Sequence, residues 1–241
     1  MHGWRCSVLA LTIGVVALLP AGCGTLLDSP AAASEPSGAR AGSAAAALAT
    51  LPVKGRAPKT GYARDRFGPS WSDIDHDGCD QRNQVLARDM VAERFKPGTH
   101  DCVVLSGTLD DPYTGHRIMF VRGARTSDDV QIDHVVALSD AWQKGAGGLD
   151  AATRKRIGND PLNLIAVDGP TNAAKRDGDA ATWLPPNKAY RCAYVARQIA
   201  VKLRYHLWVG TGERDAIRRV LGSCPGETLP ADPNAPANGY R

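Results

Sequence analysis

Asp133 and His134 stand side by side in the run Gln131-Ile132-Asp133-His134-Val135-Val136-Ala137-Leu138. A later stretch, Asn163-Leu164-Ile165-Ala166-Val167-Asp168-Gly169-Pro170-Thr171-Asn172-Ala173-Ala174-Lys175, supplies two amides and an ammonium. These residue types together suit phosphodiester hydrolysis. That reaction needs a nucleophilic water, a cation to neutralise the phosphate and the leaving oxygen, and a fixed geometry. A neutral imidazole titrating near neutrality suits a general base, the role open to His134. Mg²⁺ prefers oxygen ligands and keeps several waters, so the Asp133 carboxylate and the Asn172 carbonyl suffice as protein ligands if substrate phosphate completes the sphere. Neighbouring side chains on a strand point to opposite faces, so Asp133 and His134 divide these tasks and do not both ligate one ion. Lys175, one helical turn after Asn172, can hold a phosphate oxygen beside it. An Asp-His pair alone is a weak signal, because a buried histidine paired with a neighbouring acid is commoner than a catalytic one.

The elements that must position these groups follow from apolar periodicity and breakers. Gln84 to Phe95 reads as a helix through Val85, Leu86, Met90 and Val91, ended by Pro97-Gly98. Cys102 to Thr108 and Arg117 to Val121 read as a hairpin turned by Asp110-Asp111-Pro112-Tyr113-Thr114-Gly115. Val130 to Leu138 is a β-prone run, Leu149 to Ile157 a short helix, and Leu162 to Val167 an apolar strand. Thr171 is the expected N-cap of a helix that carries Asn172 and Lys175 to Gly178. Beyond the corner at Trp183-Leu184-Pro185-Pro186, a long helix over Asn187 to Trp208 has an apolar stripe through Cys192, Ala196, Ile199, Ala200, Leu203 and Leu207. Lys188, Arg191 and Lys202 fall on its other side, a face for solvent or for a nucleic-acid strand. A last helix spans Arg214 to Leu221.

In order and in kind, Asp133-His134-Val135-Val136-Ala137-Leu138, Trp142, Asn159-Asp160-Pro161-Leu162-Asn163-Leu164, Asn172 with Lys175, and Trp183-Leu184-Pro185 resemble the HNH endonucleases. More narrowly, they resemble exported bacterial HNH proteins related to the C-terminal nuclease domain of GmrSD-type restriction enzymes. The resemblance spans roughly Tyr62 to Cys224 and implies an α+β fold. In it a ββα-metal (HNH) finger is embedded in a larger mixed domain with a β-hairpin N-terminal lobe and C-terminal helices. It implies Asp133 and Asn172 as metal ligands, His134 as the base, and Asn163 as the residue that fixes the strand turn. Lys175, Arg176 and Arg82 are the candidates for substrate phosphate. The implied cofactor is Mg²⁺, with Mn²⁺ as a substitute. The implied product is DNA, or RNA, cut with low sequence specificity to 5′-phosphate and 3′-hydroxyl ends. The insertion between His134 and Asn163 is longer than the pattern and bears on the ββ connection. The alternative is a non-catalytic envelope lipoprotein or binding module that keeps an HNH-like shape.

Composition places the chain among ordinary globular proteins: 241 residues, 43% hydrophobic, 22% charged. The net charge of +4 is too small to argue from, but its distribution is uneven. Asp128 to Asp168 is acidic and Thr171 to Arg219 basic, a field suited to a polyanion lying across a cation site. Arg5 and the apolar run Val8 to Leu19 read as a secretory signal, too short to span a bilayer. Small residues before Cys23 resemble a lipobox. Residues 1–22 are therefore expected as a signal peptide of lipoprotein type with Cys23 lipidated, and ordinary secretion is the other outcome. Any membrane contact would be through that lipid alone, and no obligate protein partner is implied. Residues 23–60, rich in Ala, Ser, Gly and Pro, read as a flexible tether, 61–224 as the nuclease domain with its ββα core at about 128–178, and 225–241 as a disordered tail.

Cys79, Cys102, Cys192 and Cys224 form an even set that reads as disulfides in an exported chain; of three pairings, Cys79 with Cys102 and Cys192 with Cys224 close short local loops. No Cys-x-x-Cys spacing suggests structural zinc. Asp75-His76-Asp77-Gly78 superficially resembles a calcium loop but lacks a Glu at the twelfth position and has His76 where an oxygen ligand belongs.

Overall fold

The computed structural model describes residues 40–234. The expected signal peptide, Cys23, residues 24–39 of the expected tether and residues 235–241 of the expected tail lie outside it. The fold is α+β, with two small antiparallel sheets set among helices. One sheet has the order β1 (Met90–Phe95), β2 (Val104–Asp110), β3 (Arg117–Val121); the other pairs β4 (Val130–His134) with β5 (Leu164–Asp168). The helices are α1 (Ala44–Thr50), α2 (Gln81–Asp89), α3 (Leu138–Gln143), α4 (Ala151–Asn159), α5 (Gly169–Lys175), α6 (Arg191–Arg204) and α7 (Thr211–Gly222).

Burial on both faces explains why β5 reads as an unbroken apolar run. Ile165 and Val167 pack among Val195, Ile199 and Ile217 of α6 and α7, while Leu164 and Ala166 pack with Val85, Leu86, Met90 and Phe120. The pleat sends alternate side chains each way, so the β4–β5 pair is the middle layer of the fold. A third cluster, around Phe67, Leu138, Ile157 and Val201, seats α3 and α4, the elements of the insertion between His134 and Asn163.

Three expectations are corrected by this architecture. The helix expected over Gln84 to Phe95 begins earlier, where Asp80 accepts the Asn83 N–H at 2.9 Å, and stops at Asp89. Met90 to Phe95 instead pair with β2, with a register irregularity beside Ala92, whose φ is +54°. Sheet pairing overrides helical periodicity there. The tether expected to run to residue 60 ends sooner. Ser43 caps α1, and Ala44, Leu48 and Leu51 are buried against α6 and α7. Val53 bridges to Val209, and Arg56 enters an ion-pair network described below. Three well-placed apolar residues are enough to dock a short Ala-rich helix, because alanine adds helix propensity and close packing. Part of the expected tail is also packed: Thr228 bridges to Ser43, and the Pro233 carbonyl accepts from Arg88.

Disulfides join Cys79 to Cys102 and Cys192 to Cys224. No helix among the described residues is long and apolar enough to cross a membrane.

Candidate functional site

β4 and β5 pair in register, Asp133 opposite Ile165 and His134 opposite Leu164, and α5 starts at the residue after β5 and packs on both strands. This immediate turn requires Gly169. Its N–H donates to the Asp129 carbonyl at 3.0 Å, and a Cβ there would lie 2.0 Å from the Asp128 carbonyl oxygen. Asp168, not Thr171, is the N-cap of α5, accepting the Thr171 N–H at 2.8 Å and its hydroxyl at 2.6 Å.

On the face of β4 toward α5, Gln131 and Asp133 meet residues one helical turn apart. Asn172 Nδ2 donates to Gln131 Oε1 at 2.9 Å. Lys175 Nζ lies 2.8 and 3.0 Å from the two Asp133 oxygens and donates to the His134 carbonyl at 2.7 Å. The buried Tyr113 phenol also donates to Asp133, and burial together with that carboxylate pushes its pKa well above the ordinary tyrosine value. A metal site needs open lone pairs on its ligands. Both oxygens of Asp133 are held by the Lys175 ammonium, while Asn172 bonds to Gln131 through its Nδ2 and leaves its Oδ1 lone pairs open. As placed, Asp133 would have to release Lys175 before it could ligate an ion. The carboxylate is instead the acidic half of a buried ion pair.

His134 points the other way. Its Nε2 lies 2.9 Å from the Gly158 carbonyl oxygen, and a carbonyl only accepts, so Nε2 carries the proton. Trp71 stacks over the ring, centroids 6.2 Å apart and planes inclined by 14°. Burial lowers the imidazole pKa to about 4, aided by the positive charges of Arg64 and Lys175 and opposed by the Gly158 carbonyl and Asp133. At neutral pH the ring is therefore neutral, with Nδ1 as its basic nitrogen. The ring lines a cavity of 10 Å³ with Arg64, Ser70, Trp71 and Asn159, about the least space that holds one water.

Asn163 is fully buried and ties the strand start to its surroundings. Its Oδ1 accepts the Val136 N–H at 2.8 Å, and its Nδ2 donates to the carbonyls of Val136 and Ile157. The phosphate candidates are scattered. Arg82 donates to the Ser127 and Val130 carbonyls, pinning the loop before β4. Arg176 is exposed at φ +55° and lines an open pocket of 420 Å³ with Arg56, Lys175, Thr182 and Trp183. Lys202, expected on the open basic face, is wholly buried, because it is called inward by two carboxylates.

Those carboxylates belong to a network that sequence reading missed. Lys144 pairs with Asp140, Asp179 and Glu213; Lys202 pairs with Asp140 and Glu213; Arg56 pairs with Asp140 and Asp179. Burial alone would raise the Asp179 pKa, but Lys144 and Arg56 bring it down to about 2. Burial likewise opposes the charge on Lys144, and Asp140 and Glu213 outweigh it to raise its pKa. The sequence signal was faint: Asp140 and Lys144 stand four apart on a short helix, a spacing equally typical of a surface pair. Tyr113, hidden in a turn motif, and Gly158 carried no side-chain signal for their roles. The acidic loop folds on itself, with Asp73 accepting the His76 and Gly78 N–H groups and Asp75 and Asp77 held by Gln84.

The described residues form a mixed α+β fold with a buried acid–histidine strand and a helix-borne amide and lysine packed on it. The family described as GmrSD restriction endonucleases, C-terminal domain, matches residues 80–220, and the chain belongs to that family. The match takes in Asp133, His134, Asn163, Asn172 and Lys175 and leaves out Trp71 and Arg64. A protein of Arthroderma benhamiae described as an "Uncharacterized secreted protein" is 36% identical over 203 residues, 83% of this chain and 94% of its own length. This relative is fungal, so the likeness is not confined to bacteria. No solved structure matches.

Proposed function

We propose that this protein is an exported endonuclease that hydrolyses phosphodiester bonds of DNA, or of RNA, with low sequence specificity, leaving 5′-phosphate and 3′-hydroxyl ends. Membership of a nuclease family supports the reaction class, and the secreted relative supports export. Lipidation of Cys23 stays a proposal that export does not require. The observation that carries the site is the fixed tautomer of His134: with Nε2–H committed to the Gly158 carbonyl, Nδ1 is left to take a proton from water. Asn163 holds the strand start that presents this ring, and Arg176 and Arg82 remain the side chains proposed to meet phosphate. Trp71 covers the imidazole, so substrate would reach it only with Trp71 displaced. Exposure to water would then return the pKa toward 6.5, a better match to base catalysis.

The ββα-metal finger reading, with Mg²⁺ or Mn²⁺ as cofactor, comes from the family; an ion at Asp133 and Asn172 requires Lys175 to give up the carboxylate. The deciding experiment is plasmid nicking by the wild type and His134→Ala, each with and without EDTA. The expected outcome is nicking by the wild type that EDTA stops and His134→Ala lacks. Equal nicking by both proteins, unaffected by EDTA, would rule out this reading.

A second reading has an observation of its own. Saturation of Asp133 by Lys175 and Tyr113, and burial of His134, also describe a binding module that keeps the family's shape without turnover. A wild type that binds DNA and never cuts it, with any divalent ion supplied, would establish that alternative.

A further inference from the structure

Away from the β4–β5 layer, an open groove of 450 Å³ lies between the start of α6 and α7, lined by Lys188, Arg191, Arg219 and Ser223 together with the small and apolar residues of 180–184 and α7. Its lining holds three cations and no carboxylate. Among the described residues, Lys188 and Arg219 are exposed and have no acid within ion-pair distance. Of the nearby acids, Asp215 pairs with Arg214 and Glu213 is buried in the Lys144–Lys202 network; Glu227 lies beside the Cys192–Cys224 disulfide and does not line the groove. Arg191 is oriented by its Nε, which donates to the Pro185 carbonyl at 2.7 Å.

The Cys192–Cys224 disulfide ties the first turn of α6 to the residue after Ser223 and so limits how far these two walls can part. Unneutralised cations repel one another at a cost, and a set of three sharing one groove is complementary to a row of negative charges. The wall formed by Ala180, Ala181 and Leu184 continues through Thr182 and Trp183 into the pocket that contains Lys175 and Arg176 at the end of α5. A chain of phosphates leaving the α5 side would meet this groove next.

We infer that the α6–α7 groove is a phosphate-backbone track, which holds the flank of a nucleic-acid substrate through Lys188, Arg191 and Arg219 at a distance from the bond being cut. The inference rests on the nuclease reading and specifies where affinity comes from. Contacts of this type carry no base information, and each adds to the salt dependence of binding.

The test is fluorescence anisotropy of a labelled 30-base-pair duplex with the full chain, from 50 to 200 mM NaCl, in EDTA so that cutting does not interfere. Wild type, Lys188→Gln/Arg219→Gln and Arg218→Gln are compared; Arg218 is exposed on the same helix but does not line the groove. The double variant should bind roughly 10-fold or more weakly at 150 mM salt, and its plot of log affinity against log salt should be shallower by about 1.8, two phosphate contacts at about 0.9 each. Arg218→Gln should match the wild type. A double variant with wild-type affinity and slope, or an Arg218→Gln loss as large as the double variant's, would overturn the groove while leaving the nuclease reading intact. A wild type that neither binds nor cuts nucleic acid would instead remove the nuclease reading. Loss of binding to phosphatidylserine-containing vesicles, with duplex binding unchanged, would show that the groove serves a lipid surface and would also overturn it.

Discussion

His134 couples the fold to pH, and the size of the coupling follows from its surroundings. In the unfolded chain the imidazole titrates near 6.5; in the folded protein burial brings it to about 4. Between those values the unfolded state binds more protons, so stability falls as pH drops through this window, by up to about 1.4 kcal/mol per pH unit. At pH 5 the loss relative to pH 7.5 is about 2 kcal/mol. The group is buried, so solvent screening does not erase the effect. Carboxylates with lowered pKa values, such as Asp179 at about 2, lose their contribution below the unfolded value of 3.8, well under pH 5. The assay is urea unfolding followed by tryptophan fluorescence at pH 7.5 and 5.0 for the wild type and His134→Gln. Glutamine keeps an N–H for Gly158 and does not titrate. Other histidines are common to both proteins and cancel in the difference. The wild type should lose about 2 kcal/mol more than the variant on acidification. If both lose the same amount, the imidazole is not held neutral by burial and its assigned tautomer and environment are wrong.

Lys175→Met alone should destabilise the protein by about 3–5 kcal/mol, because it strands the Asp133 carboxylate in the interior, whereas Lys175→Met/Asp133→Asn should recover most of that loss in chemical denaturation. A Lys175→Met variant as stable as the wild type would mean that the pair is open to water. Gly169→Ala should lower the melting temperature by several degrees, more than the effect of helix propensity could offset, since the β5–α5 junction has no room for a methyl group beside Asp128. An unchanged melting temperature would show that the turn yields easily.

Much of the order of elements was legible because it depended on local chemistry. β-type runs joined by a Pro- and Gly-containing turn marked β2 and β3, and an uninterrupted Leu-Ile-Ala-Val run marked the doubly buried β5. The stripe on α6 is core, with Ala196 and Ile199 buried. Legibility ended where long-range pairing decided the outcome. Met90 to Phe95 keep enough helical spacing to continue α2, and only the partner strand reveals them as β1. In the candidate site, residue types drew attention to β4 and α5, but the partner of Asp133 could not be read from spacing. Spacing places Lys175 one turn from Asn172, where it could meet a phosphate, and says nothing of the carboxylate it pairs with. The structure uses the same one-turn offset to set two rungs, Asn172 on Gln131 and Lys175 on Asp133. Lys202 misled for a similar reason: a lysine opposite an apolar stripe faces water unless carboxylates from other segments meet it, and Asp140 and Glu213 lie 62 residues before it and 11 after.

The buried network has a consequence for where the domain can be cut. Lys144, Lys202 and Arg56 face Asp140, Asp179 and Glu213, three positive against three negative side chains. Electroneutrality is thus shared between the body of the domain and a stretch whose composition looks like linker. A version trimmed at residue 60, where the composition changes, would keep all three acids and only two bases. It would carry an unbalanced negative charge in its interior as well as the bare apolar surface left by Leu48 and Leu51. The working boundary of this domain lies at or before Ser43, and it is set by charge balance as much as by packing.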